Sequence, residues 1–148
     1  MTPTRERTTT GREAELTRES LRTSPLPPCL RSALLLTAAM NLLVGLGFAA
    51  NLGAFLGMAG LPVSSHPFYG LTVGLFVGLF GIGYYCAATS PRQERLLIGL
   101  GGFGKLSFVA LVTALWAAGQ LPLRAPLFAA ADLPFGLLFV TWLLRTRA

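Results

Sequence analysis

The chain has 148 residues, 53% of them from the apolar set AVILMFWYC and only 12% charged, with 17 glycines and a net charge of +6. A typical soluble domain is about 25% charged. The composition therefore excludes a disordered chain and a disulfide-built scaffold. Its long apolar runs argue against a water-soluble globule, and the spread of its basic residues to the edges of those runs argues against a nucleic-acid binder.

Residues 1–30 are rich in Thr, Arg and Glu and end in Ser24-Pro25-Leu26-Pro27-Pro28. They read as a disordered cytoplasmic tail ahead of a transmembrane domain over 31–148. The apolar run that follows starts too late and runs too long for a secretory signal peptide. Glu6, Glu13, Glu15 and Glu19 break the acid-poor rule of transit peptides.

A helix needs about 20 mostly apolar residues to cross a hydrocarbon core of ~30 Å. Four segments qualify, at about 32–57, 68–88, 96–118 and 126–144. The first is long enough to tilt or to end in an interfacial turn. Breakers separate them: Gly60-Leu61-Pro62 with Ser64-Ser65-His66-Pro67, then Thr89-Ser90-Pro91, then Gly119-Gln120-Leu121-Pro122. Connections this short predict an all-α membrane protein of four transmembrane helices in an antiparallel up-down bundle.

Orientation follows from the basic residues. Ten fall on the side of the N-terminus, the second loop and the C-terminus; Arg124 alone falls on the other, and Lys105 lies within a span. The positive-inside rule then places both termini in the cytoplasm of a multi-pass inner-membrane protein. Trp142 near the inner edge and Trp116 near the outer edge suit the interfacial preference of the indole ring.

The usual chemical motifs are weak here. Cys29 and Cys86 both fall on the reducing side without a C-x-x-C pattern, and His66, the one histidine, reads as a surface loop residue. Gly99 to Lys105 contains both G-x-G-x-x-G and G-x-x-x-x-G-K, but Leu106 replaces the Ser or Thr that a phosphate loop needs for magnesium. No preceding strand is available either. No cofactor signature emerges.

The glycines have a membrane reading, because helices in lipid associate through close approach of small residues. In the second span Gly70, Gly74, Gly78 and Gly81 fall within an arc of about 80° at 100° per residue. In the third, Gly101, Gly104, Lys105 and Phe108 share about 100°. Asn41 and Gly45 lie one turn apart in the first span, as do Asp132 and Gly136 in the fourth.

Lys105 and Asp132 are the candidate polar site. A lone charge at a helix centre costs about 2.5–3.5 kcal/mol on the insertion scale, so two of them demand an explanation. Counting from the nearest basic edge at 1.5 Å per residue puts Lys105 and Asn41 at ~15 Å and Asp132 at ~19 Å. Two readings stay open. In one, the charges neutralise each other, Asn41 completes the hydrogen bonds, and the pair fixes helix register. In the other, the three line a polar cavity that takes a lipid or quinone head group or small solute, or passes a proton.

The stretch Tyr69 to Lys105, with Gly83-Tyr84-Tyr85, Ala87-Ala88, the Pro91-Arg92 loop and a glycine-rich third span, resembles small bacterial four-helix membrane proteins of the DoxX-like kind. The resemblance is compositional and carries over no catalytic residue. It implies an accessory role beside membrane oxidoreductases. The expected function is a small accessory or interaction subunit of the inner membrane, its partners being the bilayer and itself or another membrane protein. An oligomeric transporter and a lipid- or quinone-handling enzyme are the alternatives.

Overall fold

In the computed structural model the described residues are 26–50, 53–63 and 65–146, and they are helical with short connections. The expected tail over residues 1–25 lies outside them. Helix α1 runs Pro28–Ala49, α2 Gly53–Ala59, α3 Pro67–Thr89 and α4 Arg95–Ala117. The last apolar stretch comprises α5 (Arg124–Ala129), a 3-10 turn (Ala130–Asp132) and α6 (Leu133–Arg145). Four helical stretches, counting Arg124–Arg145 as one, are long and apolar enough to cross a membrane. Large apolar side chains stand outward along them; Leu43, Leu46, Leu75 and Leu111 are all more than half exposed. Apolar surface of that extent on helices of spanning length marks a face that meets lipid or another apolar surface. The chain is built as a multi-pass membrane protein.

The helix ends follow from their punctuation. Pro28 opens α1, two residues before the tail was expected to end, because proline is preorganised for the first helical turn and lacks only an N–H that would be unused there. At α3, His66 accepts a hydrogen bond from the Phe68 N–H (3.2 Å) and Pro67 follows it, so His66 is a cap rather than an idle loop residue. Gly60 and Gly119 both take φ +71°. The next residue after each, Leu61 or Gln120, donates back to Leu56 or Leu115 across the helix end (both 2.9 Å). Both are Schellman stops, which favour glycine because it enters the left-handed region without a Cβ clash.

Two spans depart from expectation. The first apolar segment, read as 32–57, is not one helix: α1 stops at Ala49, and a separate seven-residue helix, α2, runs Gly53–Ala59. The fourth, read as a regular helix over 126–144, contains the 3-10 turn. Pro134 has no N–H to offer the Ala130 carbonyl, and the Leu133 N–H bonds that carbonyl instead, tightening the turn.

The helices associate mainly as two pairs, α1 with α3 and α4 with α5–α6. Between α1 and α3 the backbones nearly touch. A Cβ on Gly74 would lie 2.6 Å from the Gly45 carbonyl oxygen, and one on Gly70 would lie 2.9 Å from that of Phe48. Gly81 meets Leu42 and Ala38 in the same way. Gly78 does not follow the stripe: a Cβ there meets nothing within 4 Å, although its backbone is what Gly45 packs against. The α4–α6 contact is made by Gly102 against Phe139 and Val140, by Gly136 against Leu106 and by Gly99 against Leu143. A closed core of Leu30, Leu34, Tyr84, Ile98 and Phe139 fills the end of the bundle that carries most arginines. A smaller cluster of Val112, Ala125 and Ala129 closes the other end of the second pair.

Candidate functional site: a cavity ending on an intramembrane ion pair

Lys105 and Asp132 form an ion pair in which the Lys105 ammonium donates to Asp132 Oδ1. Lys105 is 5% exposed and Asp132 25%. Local structure explains why the carboxylate is available. Asp132 sits at the N-cap of α6, where an aspartate would ordinarily accept from the N–H of the second or third helical residue. The second residue is Pro134, which has none, and Asp132 makes no cap hydrogen bond. The carboxylate is left to Lys105. The tightened turn thus aims Asp132 at its partner on α4.

The ammonium is held on its other sides by aromatic faces, 5.8 Å from the centroid of Tyr84 and 5.9 Å from that of Phe135. Such placement adds a weaker electrostatic attraction to the ion pair. Tyr84 reaches this position because Gly101 faces it: a Cβ there would collide with the Tyr84 ring and hydroxyl. The tyrosine is 2% exposed, packs against Phe80 and Phe139, and its hydroxyl makes no hydrogen bond among the described residues.

Lys105, Asp132, Tyr84 and Asn41 line one cavity of about 480 Å³. All four apolar stretches contribute to its wall. Away from the polar groups it is apolar, bounded by Phe48 of α1, Phe55 of α2, Val73 and Val77 of α3, and Phe128 of α5. From Val73 to Tyr84 along α3 is eleven residues, or roughly 16 Å at 1.5 Å per residue. Its volume falls in the range of about 300–1,000 Å³ typical of small-molecule sites. The hollow is elongated, with hydrogen-bonding groups gathered at one end.

The site residues expected from sequence therefore divide. Lys105 and Asp132 meet. Asn41 faces the same cavity, but no hydrogen bond joins it to the pair, so it does not complete their hydrogen bonding. Gly101 and Gly136 are packing contacts, as are Gly70, Gly74 and Gly81, whereas Gly104 has nothing within 4 Å of a Cβ and lines the cavity instead. The phosphate-loop look-alike is the interior of α4, with Gly99, Gly101 and Gly102 buried. Tyr84 went unrecognised, although it continues the Gly74, Gly81 face by one more turn and was legible on that ground. The cavity itself had no signal, because a small residue reads the same whether a helix or empty space lies beside it.

No family model matches the chain, and neither a curated protein nor a solved structure matches it.

Proposed function

We propose that the protein is a small accessory membrane subunit that binds a lipid-soluble small molecule inside its own bundle. The observation that carries this reading is one cavity, walled by every apolar stretch and ending on an ion pair whose lysine is buried and whose aspartate is partly so. A matched pair needed only for register would be served by a filled interior. Here the charges border a cavity that is partly open at the bundle surface, and intramembrane charges bordering a cavity are the usual mark of a ligand or ion path in a membrane protein. The site holds an acid and a cation already neutralised by each other, with no serine, threonine or cysteine beside them among the lining residues. Binding is therefore favoured over enzymatic turnover.

The proposed arrangement in the membrane is an antiparallel up-down bundle with both termini in the cytoplasm. The contact register supports the first part: Gly81 meets Ala38 and Leu42, while Gly70, earlier in its own helix, meets Phe48, later in α1. The ten-to-one distribution of Lys and Arg supports the second. An inner-membrane location and the DoxX-like resemblance belong to the same proposal.

Native mass spectrometry on protein extracted in mild detergent tests the binding reading. The expected spectrum contains a retained small lipophilic adduct, and Gly104→Phe, which fills the cavity from a position with free space around it, removes that adduct. An adduct equally abundant in wild type and variant would place any ligand outside the cavity and overturn the proposal. For orientation, cysteine probes in a background lacking Cys29 and Cys86 should react with an impermeant reagent from outside at Ser65 and not at Gln93.

A further inference from the structure

Resting on the cavity reading above, we infer that the occupant is an uncharged single-chain amphiphile whose polar end both donates and accepts hydrogen bonds, seated at Tyr84, Lys105 and Asp132. Three features of the polar end fix the chemistry. Tyr84 is a buried residue whose hydroxyl borders the cavity and makes no hydrogen bond among the described residues. It can donate or accept. Asp132 bonds Lys105 through Oδ1 alone, which leaves Oδ2 as an acceptor. The Lys105 ammonium has three protons and gives one to that bond, so it retains donors. Asn41 adds an amide to the same wall.

Net charge on the ligand is excluded by the pair itself. Lys105 and Asp132 sum to zero, so neither charge is offered for neutralisation. A carboxylate entering beside them meets Asp132, an ammonium meets Lys105, and either brings an unbalanced charge into a low-dielectric space. A head such as a primary amide or a hydroxyl-bearing ester satisfies the Tyr84 hydroxyl, the spare ammonium protons and Oδ2 without altering the charge balance. The remainder of the cavity sets the other end of the molecule. It runs roughly 16 Å along α3, at 1.5 Å per residue, toward walls of Phe48, Phe55 and Phe128 that offer no hydrogen bond. That length and lining suit one alkyl chain.

The test uses three probes with one tail and different heads: dodecanamide, dodecanoate and dodecylamine, added to the full-length protein in detergent and followed by native mass spectrometry and by the shift in thermal midpoint. Dodecanamide is expected to bind at least tenfold more tightly than either charged probe. Gly104→Phe should abolish its binding. Tyr84→Phe, which keeps the ring and removes a hydroxyl that makes no hydrogen bond among the described residues, should weaken dodecanamide about tenfold while leaving the unliganded midpoint unchanged. Tighter binding of dodecanoate or dodecylamine would overturn the inference. Equal binding of all three, abolished by Gly104→Phe, would also overturn it while leaving the cavity reading intact. If none binds, and the protein carries no adduct from the cell, both fail together.

Discussion

The seam between α1 and α3 and the seam between α3 and α4 are both bordered by glycines, yet one is closed to backbone contact and the other is hollow. At the first, Gly45, Gly70 and Gly74 let main chains meet, and each would drive a Cβ into backbone atoms of the facing helix. At the second, Gly101 is covered by the Tyr84 ring, while one turn further along Gly104 faces the cavity with nothing near it. The same residue type thus has opposite uses. Where two glycine faces meet, helices close; where a glycine face meets a large ring at one level and nothing at the next, the helices are propped apart by the ring. Tyr84 is the prop, and the ion pair lies beside it.

Substitution should separate the two seams. The largest effect belongs to the pair at the hollow seam: Asp132→Asn, which strands the buried Lys105, should destabilise the fold by about 3–5 kcal/mol, and Lys105→Met, which strands the part-buried Asp132, by somewhat less. The double variant should recover most of that loss, since removing both members of a buried pair is often close to neutral. Reversible unfolding in mixed micelles measures all three, and simple additivity would mean that the side chains do not act on each other. Next is the closed seam. Gly74→Leu should cost about 1–3 kcal/mol or more through overpacking, with the α1–α3 contact giving way first. Gly78→Ala, on the same helix but open at its Cβ, should fall within about 0.5 kcal/mol of wild type, as substitutions away from specific contacts usually do. Similar losses at Gly74 and Gly78 would contradict the geometry of the seam. A change of opposite sign is expected at Thr37, fully buried on α1 with a hydroxyl that has no hydrogen-bond partner among the described residues. Thr37→Val keeps the shape and removes an unsatisfied group, and should raise stability by about 1 kcal/mol in the same assay.

The sequence carried the four apolar stretches well, because the requirement of spanning length is written directly into runs of Leu, Phe, Val and Gly. It also carried the pairing of Lys105 with Asp132, since an unpaired charge at that depth is too costly to leave alone. It carried less of what depends on absence. Gly78 and Gly74 are indistinguishable by spacing, and only the path of α1 decides which one is covered. The break of the first segment after Ala49 and the tightening before Pro134 concern local backbone within uniformly apolar runs, where hydropathy is blind. Pro134 was a visible cue to the second, and its consequence for Asp132 follows once the proline is placed in the first turn of α6.

Arg95 bridges the start of α4 to the end of α6, donating to the Leu143 carbonyl (3.3 Å) and the Thr146 hydroxyl (2.7 Å) and stacking over Trp142 at 5.5 Å. It joins the same two helical stretches that Lys105 and Asp132 join deeper in the bundle. Those stretches are consecutive in the chain, so both links can form within one hairpin before any contact with α1 or α3. That has a consequence for biogenesis. The third stretch, emerging first during synthesis, carries a cation whose counter-charge has not yet been made, and its integration into the bilayer should be completed only when Asp132 follows. The third stretch of a chain truncated at Arg124 should therefore integrate less completely than that of one extended past Thr146.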